Sequence, residues 1–162
     1  WTACNKMDKI WKSNLDRKIK IRIFRVTIEP ILLYGSETWT LSAKQHRRLD
    51  GCYTHLLRRV LDLSWKKHPT LEDIYGDLPR ISSLVRKRRV QFAGHCARAS
   101  DELVSSFVLW RHPSSHKRSR KLTFPDIICR DTAIAKEDLL TTMTDRGFWK
   151  GVVNSISAEA AR

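Results

Sequence analysis

At 162 residues, the chain suits one domain or a compact domain with a small appendage, long enough to bury a core without a metal or disulfide staple. Its 31 Lys and Arg against 17 Asp and Glu give a net charge of +14, which points to a polyanionic partner, nucleic acid being the commonest. The four cysteines, Cys4, Cys52, Cys96 and Cys129, form no C-x-x-C pair, which excludes a zinc knuckle or redox motif; free thiols fit an intracellular, reducing cytoplasm or nucleus.

Along the chain, hydrophobic spacing predicts helices and no sheet. The first covers about Ala3 to Lys12, with Met7, Ile10 and Trp11 on one face. Asn14 or Asp16 suits the cap of a second, which carries Ile19, Ile23 and Val26 as far as Pro30; there the missing N–H forces a kink or restart before Ile31–Tyr34. Gly35 suits the left-handed position that closes a helix, and Ser36 can cap the next element. The third block is the clearest: Leu49, Cys52, Tyr53, Leu56, Leu57, Val60 and Leu61 follow i, i+3, i+4 spacing, with His46, Arg47, Arg48, Arg58 and Arg59 mostly off that stripe. In "HPTLEDIYGDLP", Thr70 caps a short helix, Gly76 ends it and Pro79 starts the next element.

A fourth helix is read in "RISSLVRKRRVQFAGHCARAS", with Ile81, Leu84, Val85, Phe92 and Cys96 on one side. Gly94 within it costs about 1 kcal/mol against Ala and marks a close helix crossing. Asp101 begins a fifth helix that runs to Trp110. Residues 111–121 are polar and basic without periodicity, a linker or arm. Beyond it, "FPDIICRD", "KEDLLTTM" and "DRGFWKGVVNSIS" predict short amphipathic helices. The expected fold is mainly α: a helical bundle, a long basic helix and a small helical appendage. The segments are 1–66, 67–110, a basic linker at 111–122, and 123–162. The last segment has a net charge of −1, so the excess of +15 lies in the first 122 residues.

Little here reads as an active site. The acidic pairs Glu72-Asp73, Asp101-Glu102 and Glu137-Asp138 each fall at the first turn of an expected helix, where carboxylates favour the positive dipole end. His95 and Cys96 are helical neighbours about 100° apart, which does not make a dyad. No glycine-rich phosphate loop occurs. Three basic clusters read better as binding surface: "RKIKIRIFR", "VRKRRVQ" and "HKRSRK". Lys18, Arg22 and Arg25 recur at helical spacing opposite the isoleucines. Arg86, Lys87, Arg88 and Arg89 wrap more than half a turn, so outer members reach phosphates while an inner one pairs with an acid. Arg47 and Arg48 on the third helix, and Lys117, Arg118, Arg120 and Lys121 in the linker, complete the set of candidate nucleic-acid contacts. Trp11, Trp39, Trp65 and Trp110 read as core plugs before base-stacking platforms.

The phrases "CNKMDKIWKSNLDRKIKIRIFR", "EPILLYGSETWTL", "RLDGCYTHLLRRVLDLSWKKHPT", "IYGDLP" and "RKRRVQFAGHCARA", in this order, resemble the C-terminal part of endonuclease–reverse transcriptase polyproteins of non-LTR retrotransposons of the RTE/BovB-like kind, over about residues 1 to 150. The resemblance implies a thumb and post-thumb region that lies after a catalytic palm. It implies partners in an upstream palm domain and in nucleic acid, as an RNA/DNA hybrid or RNA, and no membrane. It makes Pro30–Leu41 the turn between thumb helices, with Trp39 a packing anchor. The palm's aspartates and their Mg have no counterpart here, so the chain is expected to hold no cofactor and not to be an enzyme on its own. The family's Gly/Arg/Pro-rich segment is shortened here to "HKRSRKLTFPD", and neither a zinc knuckle nor a restriction-like nuclease signature is present. Starting on Trp1, the chain reads as a piece of a longer protein. The alternatives are a helical protein-interaction module and a vestigial element fragment without function.

Overall fold

The computed structural model describes residues 2–64, 66, 68–110 and 123–159. Trp65 and the linker residues Lys117, Arg118, Arg120 and Lys121 lie outside them. In chain order the helices are α1 (Thr2–Lys6), α2 (Asp8–Trp11), α3 (Arg17–Thr27), α4 (Glu29–Leu32), a 3₁₀ turn (Ser36–Thr38), α5 (Ala43–Val60), α6 (Leu71–Tyr75), α7 (Ile81–Ala97), α8 (Glu102–Phe107), α9 (Phe124–Thr132), α10 (Leu139–Thr144) and α11 (Arg146–Glu159). No strand occurs among the described residues, and the chain is mainly α. No helix among them is long and apolar enough to cross a membrane.

Two compact units share the chain. The first combines the residues up to Tyr34 with Ala43–Ser82; the second combines Gly35–Ser42 with the residues from Ser83 onward. The division thus passes through α7, between Ser82 and Ser83.

In the first unit, the expected first helix is broken at Met7 into α1 and α2. Trp11 reunites them: its indole Nε1 donates to the Cys4 carbonyl at 2.9 Å, and the ring is 1% exposed. Pro30 stands in the first turn of α4, where its missing N–H leaves no bond unmade, so it starts a helix instead of kinking one. Gly35 closes the run at φ 66°, a left-handed conformation that costs an L side chain strain. Ser36 does not cap the 3₁₀ turn: Gly35 takes that position, and the Ser36 hydroxyl is buried with no partner among the described residues.

The aromatic core of this unit packs Phe24 at a tilt against Tyr53 (centroids 5.5 Å apart) and Tyr53 at a tilt against Tyr75 (6.1 Å). α5 buries Tyr53, Leu56, Leu57 and Val60, the stripe its periodicity predicts. Two buried ionic groups are satisfied from within: Lys20 Nζ donates to the Trp11 carbonyl at 2.6 Å, and Glu29 Oε2 accepts from the Tyr53 hydroxyl at 3.0 Å. Thr70 caps α6 in a reciprocal box with Asp73, its hydroxyl accepting from the Asp73 amide at 3.1 Å. Bonds from the Thr70 amide and then its hydroxyl hold the Asp73 carboxyl below the usual aspartate range. Asp50 on α5 receives the Ser82 amide at 3.0 Å and the Ser82 hydroxyl at 2.8 Å.

The core of the second unit is built from Val90, Ala93 and Cys96 of α7, Ile128 of α9, Leu139 and Met143 of α10, and Trp149, Val153 and Ile156 of α11. The Trp149 indole donates to the Val90 carbonyl at 2.9 Å. α8 is capped by Asp101, whose carboxylate accepts from the Leu103 amide at 2.8 Å, and it ends at Phe107, short of Trp110. α7 is not the one-sided amphipathic helix its sequence predicts. Of its residues only Gln91 and His95 are exposed, so polar positions are covered along with apolar ones.

Candidate nucleic-acid interface

The second basic cluster is drawn into the structure. Arg89 is 0% exposed; its Nε donates to Asp131 Oδ2 at 2.8 Å, its Nη2 to the same oxygen, and its Nη1 to the Trp39 carbonyl at 2.6 Å. The expectation that Arg89 contacts a phosphate is therefore corrected: it is the inner member of the cluster, and its guanidinium is closed on every side by protein. Arg86, half-buried, donates from Nε to the Asp131 carbonyl at 2.9 Å, so its charge serves the end of α9. Arg88 pairs with Glu37 at 3.7 Å. Together Arg88 and Arg89 tie residues 35–42 to α7 inside the second unit. The acceptor at residue 39 is the backbone carbonyl, which any residue there would supply. Lys87 is half-buried and has no partner among the described residues.

The first cluster stays on the surface. Lys18, Arg22 and Arg25 are exposed on α3, and none has a hydrogen-bond or ion-pair partner among the described residues. They line a groove of about 590 Å³ together with Arg17, Ile21, Val26 and Glu29 on one side and Tyr75, Gly76, Asp77 and Leu78 at the end of α6 on the other. Arg17 is engaged there: Nη1 donates to the Asp73 carbonyl at 2.7 Å and Nη2 to the Ile74 carbonyl at 2.9 Å. Those bonds satisfy carbonyls that the last turn of a helix leaves open, and place a cation at its negative end. Glu29 is 8% exposed and engaged by Tyr53, whereas Asp77 is exposed and without a partner among the described residues.

The groove is less purely basic than the sequence predicts. Helical spacing sets the isoleucines opposite the cations, yet Ile21 lines the same groove, and Val26 beside Arg25 is 70% exposed. On a helical wheel, positions 18, 22, 25 and 29 fall within about 60°, with 21 and 26 on its shoulders; that spacing carries the signal. Arg47 and Arg48 are exposed on α5 and do not line this groove.

Asp73 and Asp101 cap helices, His95 is exposed while Cys96 is buried, and burial holds the Cys4 and Cys96 thiols above the usual cysteine range. Trp11 plugs the core as expected, Trp39 is half-buried, and Trp110 is 59% exposed. Among the described residues no cluster of His, Cys, Asp or Glu could hold a metal ion.

Comparison with known proteins gives one direction. No protein-family model matches the chain, and no solved structure matches it. Over 125 residues the chain is 29% identical to an uncharacterized transposon-derived protein of Caenorhabditis elegans, an alignment that covers 73% of the chain and 44% of that relative. The chain is thus similar to a transposon-derived protein and spans less than half of its length.

Proposed function

We propose that the chain is a nucleic-acid-binding fragment of a transposon-encoded, non-LTR (RTE/BovB-like) reverse transcriptase, a thumb-like and post-thumb region that works beside a catalytic palm it does not contain. The row of free cations Lys18, Arg22 and Arg25 along the α3–α6 groove carries this reading, since unpaired cations in a row on one helix suit a phosphate backbone. Similarity to a transposon-derived protein supports the element origin. Arg47, Arg48 and Lys87 add exposed or half-exposed charge, and Arg86, with its donors on protein, contributes field more than contact. Lys117, Arg118, Arg120 and Lys121, outside the described residues, belong to the same proposal by their charge. On its own the fragment binds and does not catalyse.

The test is binding to a labelled RNA/DNA primer–template across about 50–400 mM salt, with circular dichroism on the same sample. Binding by a helical chain that weakens steeply with salt supports the reading. A helical chain that ignores nucleic acid overturns it.

A second reading, a helical module that docks on other protein, has one observation in its favour. Leu15, Ile19, Val26, Ile31 and Tyr34 are all exposed along and around α3 and α4. It predicts that the α3 cations can be neutralised without loss of binding.

A further inference from the structure

We propose that the α3–α6 groove seats single-stranded RNA, an inference that rests on the nucleic-acid function above and names the form of its ligand. Along α3, a rise of 1.5 Å per residue sets Lys18, Arg22 and Arg25 about 6 and about 4.5 Å apart, a single file of cations suited to one strand. Beside that file the groove is apolar, with Ile21, Val26 and Leu78. A duplex keeps its base faces stacked inside and offers a non-specific surface only phosphate and sugar, which would leave Val26 in water. A single strand can turn a base outward and cover it, an aliphatic counterpart of the aromatic platforms on which sequence-tolerant single-strand sites stack their bases. Tyr75 adds little to the platform, being 9% exposed with its hydroxyl bonded to that of Thr54 at 2.8 Å. At about 590 Å³ the groove has room for one nucleotide unit.

The opposite wall specifies the sugar. Asp77 stands exposed and unpartnered among the described residues, where a carboxylate repels phosphate and a hydroxyl of the strand can take the place of solvating water. The ribose 2′-hydroxyl is such a group, and DNA lacks it. Arg17 offsets the negative end of α6, so the wall as a whole does not exclude the strand.

The experiment is fluorescence anisotropy on the full chain at about 50 mM salt. The probes are an unstructured RNA of about 12 nucleotides, the same sequence as DNA, and the blunt RNA duplex. Val26→Ser, Asp77→Ala and Arg22→Gln are compared with the parent chain after dichroism shows equal helix content. All three positions are exposed, so folding is preserved. Single-stranded RNA should bind about tenfold more tightly than the duplex. Val26→Ser should weaken the single strand about three- to tenfold and leave the duplex unchanged. Asp77→Ala should narrow the gap between RNA and DNA, and Arg22→Gln should weaken every probe. Equal affinity for duplex and single strand, or indifference of the single strand to Val26→Ser, would overturn this inference and leave the nucleic-acid function standing. An unchanged RNA–DNA gap in Asp77→Ala would remove the assignment of RNA. Binding to none of the probes would overturn both.

Discussion

A Cβ built on Gly94 would lie 2.2 Å from Nε1 of Trp149, so the indole of α11 rests on bare backbone of α7 and donates to the Val90 carbonyl one turn earlier. The glycine is what lets the two helices meet at this distance. Gly94→Ala gains about 1 kcal/mol of helix propensity. It forces the buried indole away and breaks its bond, at about 1–3 kcal/mol for overpacking and about 1 kcal/mol for the bond. A net loss of about 2 kcal/mol is expected in urea unfolding. Gly51 is the internal control: it is exposed in α5 and an added Cβ meets nothing within 4 Å, so Gly51→Ala should stabilise by about 0.5–1 kcal/mol.

Asp131 is the counter-ion of the fully buried Arg89. Asp131→Ala leaves that guanidinium in the protein interior with the Trp39 carbonyl as its one acceptor among the described residues, a loss of about 3–5 kcal/mol. Replacing both members, with Arg89→Met and Asp131→Leu, removes two desolvated charges together and should recover most of that loss. A double-mutant cycle in urea checks it: additive single and double effects would mean the pair is not coupled. Because the pair is out of solvent, its coupling should change little between low and high salt.

Burial, then the charge of Glu29 and the hydrogen bond to it, pushes the Tyr53 hydroxyl well above the tyrosine value of 10.0. Burial also raises Tyr75. Folding therefore holds both phenols protonated. That contribution is complete below pH 10 and is lost as pH rises from there toward the folded-state values, because the unfolded chain ionises first. Helix content should fall as the pH passes upward through about 10 to 12, together with tyrosinate absorbance. Tyr53→Phe should make the alkaline loss shallower. At neutral pH it should cost about 1–3 kcal/mol, because the buried Glu29 carboxylate loses the hydrogen bond it accepts from the Tyr53 hydroxyl.

Local rules make much of the fold readable. The α5 stripe, the Thr70 box, Asp101 and Gly35 depend on residues within a few positions of one another, and the structure has each of them. The Gly94 crossing is visible as a propensity cost without a local reason, though nothing local names Trp149 as its partner. α7 misleads for the opposite cause. Its burial extends nearly around the helix, and the acid that neutralises Arg89 lies 42 residues away. The division of the chain is equally non-local, since residues 35–42 belong to the second unit while both flanks belong to the first. At the groove, the row of cations is legible from spacing. Val26 is not, because apolar periodicity assigns such a residue to the core even where the fold leaves it in water.

The two basic helices should separate cleanly under mutation. On α3, Lys18→Gln, Arg22→Gln and Arg25→Gln remove exposed charges that no described group pairs with, so thermal stability should stay within about 0.5 kcal/mol of the parent. Each removal should lower the salt slope of RNA binding by about one. On α7 the order reverses. Arg89→Gln removes donors from Asp131 and Trp39 and should cost several-fold more stability than any α3 change. At temperatures where the variant stays folded, its salt slope should match that of the parent, because a buried, paired guanidinium releases no counterion from the nucleic acid. Thermal melts and salt titrations on the same four variants check both halves. A reduced slope in Arg89→Gln with unchanged melting would mean that this side chain reaches the surface in solution, and that the charge of α7 belongs to the interface after all.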